Sequence, residues 1–209
     1  MIDLYTWKTP NGRKISIALE ELGLPYTVKP VNISSNEQFA PDFLKISPNN
    51  KIPAMIDHET GISVMESGAI LLYLADKTGR LMPKDKAGYW DAMQWMMWQM
   101  AGLGPMLGQL HQFLKFNPGK SPFGEERFLK EGKRLYGVLD RQLEGRPHVL
   151  GELSIVDIAI WPWISRFEWQ TIDLKEYPNV CRWYVELAKR PSFQAGYDVP
   201  STGEAIPMP

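Results

Sequence analysis

The chain has 209 residues, enough for one large domain or two small ones with a substantial core. The formal net charge is −1 and no basic block occurs, which speaks against nucleic acid and anionic membranes as partners. Cys181 is the only cysteine, which excludes an intramolecular disulfide framework, a Cys-x-x-Cys redox pair and a cysteine-based zinc site. His58, His111 and His148 are scattered without metal-ligand spacing, so no metal is expected. The longest apolar run, Ala69 to Ala75, is too short to span a bilayer, and Asp3 interrupts the first apolar residues, so no signal peptide is expected. A cytoplasmic location follows as the default.

The first eighty or so residues alternate strand and helix signals. Ile2 to Tyr5 reads as a strand, Thr9-Pro10-Asn11-Gly12 as a turn, and Ile15, Ala18, Leu19 and Leu22 recur at helical spacing up to Gly23 and Pro25. Tyr26 to Ile33 reads as a second strand, placed at a sheet edge by Pro30. After a looser stretch with a short helix near Asp42 to Lys45, Lys51 to Asp57 and Ile62 to Met65 read as two strands joined by a tight turn. Ser67 is the expected N-cap of a helix running to Lys77, with Gly79 past its end. The order β-α-β, then β-β-α, describes one compact α/β module.

Beyond Lys84 to Gly88, which reads as a linker, helices dominate, and seven of the eight tryptophans lie after position 89. Trp90, Met93, Met97 and Met100 share one helix face while Trp95 and Trp98 lie elsewhere around it, so the helix is either a homodimer interface or an interior central helix. Gly102, Gly104 and Pro105 should bend or break it. Phe128, Gly132, Leu135, Leu139 and Leu143 mark another helix. Ser154 with Asp157 resembles a capping box, and Pro178 opens a helix carrying Val180, Trp183, Tyr184 and Leu187 that stops before Pro191. Cys181 in that helix is expected to be a buried small hydrophobe. The domains are therefore expected at 1–83 and 89–199, with a linker at 84–88 and an irregular tail at 200–209.

The polar turn at Thr9 to Gly12 ends at a helix N-terminus, a ready-made anion site. With one remote cysteine, any thiolate held there must come from solution. Ile52, preceding Pro53, is biased towards an extended backbone that can pair with a ligand strand. Thr, Pro, Asn and Gly are also ordinary turn residues, and Ser67 can serve as a cap alone.

The strand–turn–helix at the start, Ile52-Pro53, Glu66-Ser67-Gly68-Ala69-Ile70 and Ser154-Ile155-Val156-Asp157 together resemble the glutathione transferase superfamily. Thr9 to Lys14 and Ile46 to Pro53 are similar to its nu class, bacterial relatives of the yeast nitrogen-regulating prion protein noted for glutathione-dependent disulfide reduction. The resemblance covers nearly the whole chain. It implies a thioredoxin-like α/β domain followed by an all-α domain, glutathione as co-substrate, a homodimer, and a cis Pro53. Glutathione needs answers for two carboxylates, an ammonium, a peptide backbone and a thiol. Glu66 suits the γ-glutamyl ammonium, while the Ser67 hydroxyl and the first N–H groups of its helix suit the adjacent carboxylate. Ile52 and Pro53 suit the backbone, Lys51 and Gln38 the glycyl carboxylate, and Arg127 matches a glutathione-binding arginine of the nu-class pattern. Thr9 and Asn11 are left to donate to sulfur and favour the thiolate. Tyr5 falls inside the strand and is assigned to packing. The turn cysteine of omega-type and glutaredoxin-type relatives is absent, which argues against a mixed disulfide with the enzyme. The implied activity is reduction of a small disulfide; the alternatives are conjugation of glutathione to electrophiles and a non-catalytic interaction module.

Overall fold

A computed structural model describes residues 1–209. The chain forms two compact units, Met1–Arg80 with Ala188–Ile206, and Leu81–Leu187 with Pro207–Pro209.

In the first unit, β1 (Ile2–Thr6) lies between β2 (Tyr26–Pro30) and β3 (Ala54–Asp57), and β4 (Ile62–Met65) completes the order β2-β1-β3-β4. β1 and β2 run parallel through a crossover helix, α1 (Pro10–Leu22), whereas β3 is antiparallel to both β1 and β4. β2 ends at Pro30 rather than Ile33 and is an edge strand, where a missing N–H is tolerated. Strand alternation sorts the side chains. Ile2, Leu4 and Met55 are buried, while Tyr5 and Ala54 point the other way into a small cluster with Val31 and Phe43 of α2 (Pro41–Ile46). The Tyr5 ring packs against Phe43, centroids 6.2 Å apart, as its place inside the strand requires. α1 and α3 (Ser67–Thr78) pack together, and both end on a left-handed glycine, Gly23 and Gly79. This is the thioredoxin-like arrangement.

The helical unit holds α4 (Lys86–Trp98), α5 (Gly104–Leu110), α6 (Pro122–Gln142), α7 (Ile155–Ile164) and most of α8 (Pro178–Ala188). Between α4 and α5 the ladder widens into a π-helical turn, Gln99–Leu103, because Pro105 brings no N–H for the carbonyl one turn back. All ten residues of α7 are buried. Its capping box is as expected: Val156 N–H donates to Ser154 Oγ (3.2 Å) and Ser154 N–H to Asp157 Oδ2 (3.0 Å). Asp157 also accepts from Val149 N–H and Trp183 Nε1. α4 is not an interior helix: only Ala92 and Met96 are buried, and Trp90 and Met97 are 57% and 49% exposed.

A further helix, α9 (Pro191–Tyr197), packs against α1 in the first unit. Gly196 makes this possible, since a Cβ there would lie 2.5 Å from the Ile17 backbone. The tail from Pro200 lacks regular structure but is anchored. The Asp198 carboxylate accepts from the N–H groups of Thr202, Gly203 and Glu204, and Lys8 Nζ donates to Thr202 Oγ1 (2.8 Å). Cys181 is half-buried rather than buried.

Candidate functional site

The turn from β1 into α1 is built by close approach. Gly12 sits against the Trp7 carbonyl and Thr6 Oγ1, where any Cβ would collide. Thr9 is the N-cap, its Oγ1 accepting from Gly12 N–H at 3.1 Å. Capping uses one lone pair and leaves the hydroxyl hydrogen to be donated, so a cap and a thiolate donor are compatible in one side chain. Pro10 occupies the first helical position without an N–H, which makes Asn11 the first residue of α1 with a backbone donor. Thr9 and Asn11 are both half-buried.

At the head of α3 the residues differ from the sequence expectation. Ser67 is not the N-cap but the first helical residue; Glu66 holds the cap position and makes no side-chain cap bond. The Glu66 backbone lies at φ 71°, a left-handed value uncommon outside glycine, and its carboxylate is exposed. Strained backbone of this kind gathers where side chains must be aimed. The start of this twelve-residue helix thus carries no side-chain cap from Glu66, and a helix N-terminus favours an anion.

Beneath Ser67 lies a residue that periodicity did not single out. Lys14 of α1 is fully buried and its Nζ donates to Ser67 Oγ at 3.1 Å, tying the two helix starts together. Burial brings the Lys14 pKa down to about 7, against the attraction of Glu66. Arg13 is also fully buried, its Nε donating to the Tyr197 carbonyl (2.8 Å), its guanidinium 3.6 Å from the Tyr197 ring centroid and paired with Glu204 (2.7 Å). A run Arg13-Lys14-x-Ser16 on an amphipathic helix reads in sequence as a solvated face, and no local signal says otherwise.

The Ile52–Pro53 peptide is cis, Pro53 is buried and Ile52 half-buried at the entrance to β3. The Ser47 hydroxyl donates to the Lys51 carbonyl (2.8 Å), which fixes the loop leading into it.

The family profile for the glutathione S-transferase N-terminal domain matches residues 1–76, and that for the C-terminal domain matches residues 106–191. The chain belongs to the glutathione S-transferase family. Among relatives of the transferase, the disulfide-bond oxidoreductase YfcG of Escherichia coli is 48% identical over 92% of both chains. The disulfide-bond oxidoreductase YghU of the same organism is 39% identical over 93% of this chain and 73% of its own. A glutathione transferase from Burkholderia graminis, solved with two glutathione molecules per subunit, superposes with a TM-score of 0.91 at 45% identity, covering 97% of this chain and 89% of that one. One from Pseudomonas putida, solved with one glutathione disulfide per subunit, gives 0.91 at 40% identity over 95% and 91%.

In this chain, then, Lys14 of α1 is bonded to Ser67 at the start of α3, and Thr9, Asn11, Ile52, Pro53 and Glu66 belong to the same unit. Gln38 lies in a 3-10 turn, Glu37–Phe39, half-buried with its Oε1 unpaired, and the Lys51 side chain is exposed. Arg127 is an exposed residue of α6 in the helical unit, lining a groove with Met106, Phe128, Lys130, Glu131 and Arg134. No group of His, Cys, Asp and Glu side chains is placed to hold a metal, and no helix is long and apolar enough to cross a membrane.

Proposed function

We propose that the chain is a nu-class, glutathione-dependent disulfide-bond reductase. The observation that carries this reading is the pair of helix starts joined by Lys14: a turn of hydroxyl and amide donors on α1, and on α3 a dipole end without a side-chain cap, flanked by one acid. The names of the two Escherichia coli relatives and the ligands of the solved neighbours point the same way.

Glu66 pairs with the γ-glutamyl ammonium, and Ser67 with the first N–H groups of α3 takes the adjacent carboxylate. The extended backbone at Ile52 pairs with the cysteinyl main chain, Lys51 and Gln38 take the glycyl carboxylate, and Arg127 contributes a further cation. Thr9 and Asn11 donate to sulfur and hold it as thiolate. That thiolate attacks one sulfur of a small disulfide; the S–S bond breaks and the leaving thiolate takes a proton from solvent. A second glutathione thiolate then attacks the mixed disulfide and releases glutathione disulfide, so two glutathiones are oxidised for each disulfide reduced to two thiols. The protein supplies orientation and thiolate stabilisation and no cysteine of its own. A cytoplasmic location fits a reductase fed by a reduced glutathione pool, and the exposed Trp90–Met97 face of α4 fits a homodimer.

The test is turnover of a small dialkyl disulfide with glutathione, followed as glutathione disulfide, beside turnover of an aromatic halide. Disulfide reduction should dominate; conjugation without reduction would replace this reading by that of a conjugating transferase.

A further inference from the structure

The turn from Thr9 to Gly12 is bracketed by two side chains held from the far end of the sequence. On one side, Lys8 Nζ donates to Thr202 Oγ1 at 2.8 Å. On the other, the buried Arg13 guanidinium pairs with Glu204 at 2.7 Å, lies 3.6 Å from the Tyr197 ring centroid, and donates through Nε to the Tyr197 carbonyl. Three residues on, the Ser16 hydroxyl donates to the Gly196 carbonyl. All of these partners belong to the same compact unit as the turn.

The segment that does the holding is organised by one carboxylate. Asp198 accepts from the N–H groups of Thr202, Gly203 and Glu204 and from the hydroxyls of Ser201 and Thr202, at 2.9–3.1 Å. Gly203, at φ 78°, supplies the left-handed backbone with which three successive N–H groups converge on it. Bonds to an ionised acceptor are stronger than neutral ones, so a carboxylate ringed by donors fixes the loop in one shape. The Thr202 hydroxyl accepts from Lys8 and donates to Asp198, which makes Lys8, Thr202 and Asp198 one chain of bonds. The same carboxylate holds the backbone of Glu204, whose side chain meets Arg13. Inside the turn, Thr9 Oγ1 accepts from Gly12 N–H and the Thr9 carbonyl from Arg13 N–H, so a shift of Lys8 or Arg13 is passed to Thr9 directly.

We propose that Asp198 is a positioning residue, which through Thr202 and Lys8 on one flank and Glu204 and Arg13 on the other sets the Thr9 and Asn11 donors against the glutathione sulfur. The proposal rests on the glutathione reading above. Ile52, Glu66 and Ser67, assigned there to the rest of the tripeptide, belong to the turn before β3 and the head of α3. Loosening the clamp should therefore weaken stabilisation of the sulfur and leave tripeptide binding in place.

Three quantities are measured on the full chain. They are the pKa of the thiol in bound glutathione, from thiolate absorbance across pH; the dissociation constant of S-methylglutathione, which has no thiol to titrate; and kcat for disulfide reduction. In Asp198→Ala the bound thiol should titrate higher, towards its free value. Its kcat should fall about ten- to a hundredfold while S-methylglutathione affinity stays within about twofold. Thr202→Val, at an exposed position, cuts the link to Lys8 alone and should move the thiol and kcat the same way by less. Thr202→Ser keeps the hydroxyl and should restore both. If Asp198→Ala does not fold, the two Thr202 variants decide. A clamp that serves stability alone would lower the unfolding midpoint and leave the bound thiol unmoved. That result in the folded variants, or an equal loss of S-methylglutathione binding, overturns the positioning role and leaves the glutathione reading standing. An unmodified chain that binds no glutathione, or binds it without lowering the thiol pKa, overturns the thiolate reading and the proposal with it.

Discussion

At the scale of single residues, Thr9 caps α1 and is also the proposed donor to sulfur, so substitutions must separate the two duties. Thr9→Ala removes both the α1 cap and the proposed sulfur donor, so it should cost about 1 kcal/mol of stability in denaturant unfolding as well as lowering turnover. Thr9→Ser keeps the oxygen and should restore both. Thr9→Ala combined with Asn11→Ala should depress kcat much more than glutathione affinity; unchanged turnover in a folded double variant would sink the assigned roles. Glu66→Gln keeps a side chain at the strained φ but loses the charge opposite the ligand ammonium. Its expected signature is a rise of about tenfold in the KM for glutathione with little change in kcat, measured by steady-state kinetics.

At the scale of elements, β3 and α3 are joined by Asp57, which is buried and accepts from Tyr73 Oη (2.7 Å), Lys77 Nζ (2.9 Å) and Glu59 N–H (3.0 Å). Burial works to raise its pKa, but these partners outweigh it and hold the carboxyl at about 2. A depressed carboxylate contributes stability that is present above its unfolded pKa and lost as pH falls through the folded one. Unfolding free energy should therefore fall by about 2 kcal/mol between pH 4 and pH 2 on this account, and Asp57→Asn should flatten that slope. Elements with a local cause were legible in sequence: the apolar spacing of α1, the glycines ending α1 and α3, the capping box of α7, and the break at Gly102 to Pro105. The head of α3 was misplaced by one residue because serine is a favoured cap, and nothing local says that Glu66 takes a left-handed backbone instead. Arg13, Lys14 and Ser16 were unreadable as interior residues because what covers and pairs them comes from distant parts of the chain: α3 for Lys14, and α9 with its tail for Arg13 and Ser16. Of the candidate site, the motif residues were legible through their resemblance to a family, and the lysine joining them was not.

At the scale of the whole molecule, ligand binding should appear as stability. Glutathione at a hundred times its dissociation constant stabilises the native state by about 2.7 kcal/mol, which for a chain of this size moves the thermal midpoint by roughly 5–10 °C. The open face of α4 makes a separate prediction. Met97→Glu should shift the sedimenting species from dimer to monomer with unchanged helicity, whereas an unchanged sedimentation coefficient removes the case for this face as the interface. The return of the chain also has a temporal side. Residues 1–80 of the thioredoxin-like unit are made before the helical unit, yet the helix seated on Ile17 and the acid paired with Arg13 are made after it. During synthesis α1 must leave the ribosome with a buried-type guanidinium and an apolar flank uncovered, and wait for the entire helical unit to be translated before they are closed. A nascent chain stalled after residue 80 should accordingly remain open to protease and bind a hydrophobic dye, and only a chain extended beyond Glu204 should protect the turn from Thr9 to Gly12.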